Sequence, residues 1–390
     1  MSRMGERLGT FALVLTFAVP ASAQSLRVRA DALAEARSPA GLVMLQGQDR
    51  EHPWFDAEAL VWGGARSDVA GDVLVLTMRV REPHGFGEIR GGRFIFATGA
   101  IRPVHVDGIS AIGRLPSGLT IEAASGALVA PRFGWRAADW LAGGRLSQKV
   151  GSRLTLGGSY WRQNAREGVT REEIGADLAA VPFAWLDVAA KGAYDVFSQG
   201  VAEASASAAA RLSDWRLELF ASHRSPSRLL PATSLFSVLG DFPSQIAGAT
   251  VRWEAAPRLD LIVNAAGQDL GGELGAMGFL RATLRLDDQG DGSLGLEVRR
   301  HDVAVTHWTG VRVIAAQRLG SHWRASSELE LARADDPGDR GAVWPWGLAA
   351  LGWRMTSGWE AAAAIEAGST PRYRFEVDGL LRLSYAWGAP

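Results

Sequence analysis

The stretch Arg372-Tyr373-Arg374-Phe375-Glu376-Val377-Asp378-Gly379-Leu380-Leu381-Arg382-Leu383-Ser384-Tyr385 decides the fold. Successive side chains of a strand point to opposite faces. One face therefore carries Arg372, Arg374, Glu376, Asp378, Leu380, Arg382 and Ser384. The other carries Tyr373, Phe375, Val377, Gly379, Leu381, Leu383 and Tyr385. A two-faced strand of about 14 residues is long for a soluble sheet and suits a tilted strand crossing a bilayer. Its charged face would look into a water-filled interior and its apolar face at lipid.

The alternation recurs along the chain. Leu280, Ala282, Leu284 and Leu286 oppose Arg281, Thr283 and Arg285, and Leu294, Leu296 and Val298 interleave with Gly295, Glu297 and Arg299. Ser326, Glu328 and Glu330 alternate with Leu329 and Leu331, and Trp215, Leu217 and Leu219 oppose Arg216 and Glu218. An arginine facing lipid at the midplane costs about 2 to 4 kcal/mol, so the charged sets belong to the lumen. The expectation is an all-β chain forming a transmembrane, antiparallel, up-and-down β-barrel.

The first residues give an address. Arg3 and Arg7 precede an apolar run, Leu8 to Val19, and Pro20 precedes Ala21-Ser22-Ala23. This is the layout of a secretory signal, residues 1–23, with cleavage before Gln24 and the barrel in 24–390. The run is too short for a transmembrane helix, and later apolar runs such as Leu178 to Leu186 are shorter still. An exported barrel places the protein in the outer membrane of a Gram-negative bacterium. The absence of cysteine removes disulfides, thiolate metal sites and a cysteine nucleophile. The net charge of −1 becomes −2 without Arg3, Glu6 and Arg7, which lends nucleic-acid binding no support. Only Lys149 and Lys191 are lysines, so 39 of 41 basic residues are arginines. A GC-rich genome accounts for that bias; an arginine-lined lumen selecting anions or sugars is the functional alternative.

Strands and turns alternate without a linker, which argues for one domain. Beyond Leu115, turn-like sites near Ser117, Gly151, Pro182, Ser213, Pro257, Asp291, Gly320 and Ser357 recur about every 29 to 44 residues, the length of a hairpin plus an outer loop. Several precede a tryptophan opening the next strand, as in Ser213-Asp214-Trp215, Ser321-His322-Trp323 and Ser357-Gly358-Trp359, placing the indole at the membrane interface. Eight such hairpins predict about 16 strands. The less regular N-terminal part, with segments Leu26–Ala36, Ala57–Gly64, Val73–Arg81, Glu88–Thr98 and Val104–Ile112, adds at least one hairpin. The expected count is about 18, within 16 to 22, which encloses a wide lumen.

The run Gly91-Gly92-Arg93-Phe94, followed by Val106-Asp107-Gly108, resembles strands of Gram-negative porins and alginate-export-type barrels. The last strand, with Leu381, Leu383, Tyr385 and Trp387 on one face, resembles the signal read by the outer-membrane barrel assembly machinery. That family ends at the aromatic, whereas Gly388-Ala389-Pro390 follow here. The resemblance implies an outer-membrane barrel with a polysaccharide or oligosaccharide as cargo.

Motifs for chemistry are absent: no Gly-x-Ser-x-Gly elbow, phosphate loop or His-Glu-x-x-His occurs. No catalytic residue, metal ligand or cofactor is expected. His301 and His307 would share a face of one unbroken strand about 20 Å apart, too far for a common metal. Asp287, Asp288 and Asp291, and Asp335, Asp336 and Asp339, lack a full calcium-loop ligand set and read as solvated turns. Ser222 to Ser244, broken by Pro226, Pro231 and Pro243, is read as a loop that either narrows the pore or packs at the rim. The pore-lining candidates are Arg281, Arg285, Glu297, Arg299, Glu328, Glu330, Arg372, Arg374, Glu376, Asp378 and Arg382, or these pair across strands and merely stabilise the wall.

The expected function is passive passage of hydrophilic solute, a porin or (poly)saccharide exporter. Expected partners are outer-membrane lipid, the assembly machinery, saccharide cargo and periplasmic export or envelope proteins, with no nucleic acid. The alternative is a closed structural barrel anchoring an envelope-spanning or surface assembly.

Overall fold

The computed structural model describes residues 26–387 except 36–39, 53, 66–68, 130–139, 166–167, 226–243, 304–305, 337–341, 356–357 and 371–372. The expected leader, most of the Ser222–Ser244 segment, Arg372 and Asp339 lie outside them, as does the side chain of Arg374.

The N-terminal strands are β1 (Leu26–Glu35), β2 (Ala40–His52), β3 (Phe55–Ala65), β4 (Val69–Arg81), β5 (Gly87–Phe96), β6 (Val104–Arg114) and β7 (Leu119–Leu128). Next come β8 (Trp140–Val150), β9 (Leu154–Ala165), β10 (Gly168–Phe183), β11 (Leu186–Asp195), β12 (Gly200–Leu212), β13 (Trp215–Arg224) and β14 (Ser244–Ala256). The rest are β15 (Leu259–Leu270), β16 (Glu273–Arg285), β17 (Gly292–Val303), β18 (Thr306–Leu319), β19 (Trp323–Ala334), β20 (Val343–Arg354), β21 (Trp359–Thr370) and β22 (Tyr373–Trp387). Sequence neighbours pair antiparallel, and β1 pairs with β22 from Val28↔Trp387 to Glu35↔Leu380, closing one 22-stranded ring.

The count of 22 lies at the upper limit of the expected 16 to 22, above the favoured 18. Beyond Leu115 the 16 expected strands form. The N-terminal part contributes six strands where one hairpin is the minimum counted: the five segments named there form β1, β3, β4, β5 and β6, and β2 is added between the first two. Its Gln46-Gly47-Gln48-Asp49 run lacks alternating apolar residues, and it is held by ladders on both sides. Twenty-two strands spaced about 4.8 Å and tilted about 40° give a circular section about 40 Å across at the backbone.

Leu280, Leu284, Leu296, Val298, Val311, Leu329, Leu381 and Leu383 stand exposed on the outer face, the band a bilayer would cover. Connections after even-numbered strands span two to six residues, and aromatic pairs gather at that rim. Trp215 stacks on Trp253 at 4.9 Å, Trp323 on Trp353 at 5.5 Å, and Trp359 meets Tyr385 at 4.6 Å. Indoles are favoured where one edge can reach water and the rest stays apolar, which marks the interface. The strand ends joined by the longer connections, between β5 and β6, β7 and β8, β13 and β14, and β19 and β20, lie at the opposite rim.

Candidate functional site: a hairpin folded into the lumen

One connection at the long-loop rim turns inward. β4 and β5 pair only from Leu76↔Arg93 to Arg81↔Glu88, although β4 runs on to Val69. At the departure point Gly92 has φ 117°, which side-chain-bearing residues rarely adopt, and an added Cβ would strike the Leu76 carbonyl. Adjacent glycines inside a strand commonly mark such a bend. The carbonyls left on β4 are covered from the hairpin. Arg93 Nη1 donates to the Val73 carbonyl at 2.8 Å, and His105 Nε2 lies 2.6 Å from the Leu74 carbonyl. Arg93 also binds Asp107 through two parallel hydrogen bonds, 2.7 and 3.0 Å, and Asp72 at 3.0 Å. The Gly-Arg and Asp-Gly pairs noted in the sequence thus meet at the hinge.

Beyond the hinge, the inner face of the hairpin lies against the wall. Phe94, Phe96, Ile101 and Val106 pack on Ala124 of β7, Leu141 of β8 and Trp161 of β9. The tip, Ala97 to Pro103, reaches further: Ala100 joins Ala193 of β11 and Ala202 of β12 in a buried contact. The back of the hairpin is open, with Ile95 58% exposed.

A charged anchor fixes the tip. Arg145 of β8 holds Asp177 of β10 through Nε (2.9 Å) and Nη2 (2.6 Å), and its Nη1 donates to Glu122 of β7 at 3.1 Å. Thr98 Oγ donates to the other Glu122 oxygen at 2.5 Å. Gly99 lies on the Arg145–Asp177 pair with φ 53°, and an added Cβ there would come within 2.5 Å of Asp177 Oδ2. Trp161 Nε1 donates to Glu173 at 2.8 Å. These buried polar groups are satisfied by residues from four strands, and satisfied networks of this kind fix one geometry.

The sequence-selected residues lie on the opposite wall. Arg281 donates to Glu297 at 2.7 Å, Arg299 to Glu330 at 2.8 Å and Arg285 to Asp260 at 2.7 Å; Arg312 pairs with Glu328. Arg382 donates to Asp31 at 2.7 Å across the β1–β22 closure, where Ser384 Oγ reaches the same oxygen. Glu376 and Asp378 lie on the same face of β22 as Arg382. Rings lie among them: Arg281 sits 5.3 Å from the Phe279 centroid, Arg299 5.0 Å from Trp308 and Arg312 5.5 Å from Trp346.

One further expectation needs correction. His301 and His307 lie on neighbouring strands, not on one strand, because β17 ends at Val303 and pairs antiparallel with β18 from Thr306. His301 stacks on Trp308 and His307 pairs with Asp302. The acidic clusters lie in turns open to solvent and make exposed ion pairs there: Asp288 with Arg258 at 2.7 Å, Asp291 with Arg318 at 3.0 Å and Asp335 with Arg300 at 2.5 Å. That Arg300 hydrogen bond holds the Asp335 carboxyl below its ordinary range.

No protein-family model matches the chain, and no curated protein matches it in sequence. Solved structures match in fold. The P pilus usher (PapC) translocation pore aligns with a TM-score of 0.54 at 8% identity, over 94% of this chain and all of that one. The ferric-catecholate import receptor Fiu of E. coli K12, in an open form, aligns with a TM-score of 0.57 at 8% identity, over 93% of this chain and 81% of that one. The chain has the fold of Gram-negative outer-membrane β-barrels.

Proposed function

We propose that this protein is an outer-membrane channel for hydrophilic solute whose width is set by the β5–β6 hairpin. The observation that carries the reading is the hairpin tip lying along the inner wall from β7 to β12, inside a ring about 40 Å across by strand number. A tip spread over one sector of the wall narrows such a lumen without filling it. The facing wall carries paired charges that hydrate a path and carry little net charge, which suits a neutral or weakly charged cargo. A (poly)saccharide is the cargo class this wall supports best, because Trp308, Trp346 and Phe279 offer ring faces beside hydrogen-bonding carboxylates and guanidinia. In this reading Leu381, Leu383, Tyr385 and Trp387 present the last strand to the assembly machinery, and periplasmic export or envelope proteins deliver cargo.

The test is single-channel conductance of the folded barrel in a planar bilayer. Wild-type protein is expected to conduct steadily, and oligosaccharide on either side to reduce the current. Replacing Thr98–Arg102 by a two-residue turn is expected to raise conductance. Silence from both proteins, each shown by heat-modifiable migration to be folded, would overturn the channel and leave a closed barrel anchoring an assembly.

A further inference from the structure

Away from the hairpin, a cavity of 310 Å³ opens at the short-turn rim between β18 and β22. Four guanidinium groups line it, those of Arg318, Arg324, Arg354 and Arg382, against two carboxylates, Asp291 and Glu360. Arg318 is committed to Asp291 at 3.0 Å, Arg354 to Glu360 at 2.8 Å, and Arg382 to Asp31 outside the cavity at 2.7 Å. Arg324 has no carboxylate within ion-pair distance among the described residues, unlike Arg281, Arg299 and Arg312 further up the wall. Arg324 also stands directly opposite Arg318 in the β18–β19 ladder. Like charges directly opposite destabilise a sheet, so this pair is unfavourable unless an anion lies between the two groups.

The geometry points to an oxyanion site at this rim, taking a multiply charged phosphate- or carboxylate-bearing solute between Arg324 and Arg318. The planar fork of arginine matches both groups in two-point hydrogen bonds. Rim arginines are well hydrated, so a single charge gains little here and several charges are needed. The site requires only a water-filled lumen and stands whether or not the barrel conducts.

The test uses full-length barrel folded in phosphate-free neutral detergent, titrated with inorganic pyrophosphate and, separately, citrate. Isothermal titration calorimetry reads occupancy. Saturable binding of at least one probe is expected, weakened about tenfold in Arg324→Gln and by a smaller factor in Arg324→Lys, which keeps the charge but loses the fork. Arg258→Gln, which removes a turn arginine paired with Asp288, is expected to leave binding unchanged. In probe-free buffer Arg324→Gln should raise the thermal midpoint by relieving repulsion, whereas a structural guanidinium would lower it. Repeating the titration in phosphatidylglycerol nanodiscs separates the sources: unchanged binding supports a soluble anion, and loss of binding assigns the site to a lipid headgroup and overturns a solute site. No saturation with either probe, equal affinity in Arg324→Gln, or a lowered midpoint would overturn the proposal.

Discussion

Arg281 and Arg299 each lie with a ring on one side and a carboxylate on the other. A guanidinium keeps its charge at any working pH, so such groups hold the wall by geometry rather than by titration. Glu297 is 2% exposed, the most enclosed carboxylate of this wall, and Arg281 is its close partner while Arg299 stands 4.0 Å away. Arg281→Ala therefore strands a desolvated charge. Because Arg281 itself is partly open to the lumen, the expected cost lies at or below the low end for a broken buried pair, about 2 to 3 kcal/mol. Urea unfolding in lipid would measure it. Glu297→Gln should cost less, since it removes the charge instead of orphaning it.

The β5–β6 hairpin shows how an element can keep its strand geometry and its ladder to β7, from Val106↔Leu128 to Arg114↔Thr120, and still fold inward at its other edge. Its two halves stay paired from Gly87↔Gly113 to Phe96↔Val104, so the bend is taken up at the β4–β5 edge, where Gly92 supplies the conformation. Gly92→Ala is expected to lower stability by about 2 to 3 kcal/mol through strain and the clash with Leu76. Gly91→Ala, with nothing near its added Cβ, should sit close to wild type in the same denaturant series. Much at this scale was legible. Seven of the eight turn sites beyond Leu115 fall in the connections after even-numbered strands, and Pro182 falls just inside the end of β10. Alternation reports a strand's two faces, so lumen and lipid sides of β16, β17 and β19 could be read directly. Alternation cannot report that the end of a hairpin lies over the inner face of its own wall. Glu88–Thr98 and Val104–Ile112 read as ordinary wall, and the partners that hold the tip, Glu122, Arg145 and Asp177, lie far along the chain. The double glycine at 91–92 was the one local signal, and it was read only as part of a family resemblance.

At the scale of the molecule, every pairing but one joins sequence neighbours, and the exception joins the first strand to the last. Local pairings close short loops at little entropic cost; the ring closure spans almost the whole chain and must come late. The Arg382–Asp31 bond and the Ser384 hydroxyl on Asp31 lie on that seam, so the sequence separation is largest where polar side chains also cross the closure. Strand count is the quantity the sequence carries least well: turn rhythm counts hairpins only beyond Leu115, the five N-terminal segments enter as a single hairpin, and β2 carries no alternation to mark it.

An even ring with paired first and last strands has no privileged starting point. Leu26 and Trp387 lie at the same rim on adjacent strands, so a short linker could join them while a new break is made at any two-residue turn, such as Ser213-Asp214. Such a circularly permuted chain would keep all the strand pairings, and it is expected to fold to the same heat-modifiable species on a gel, refolding at a different rate because a different pair of strands now closes the circle.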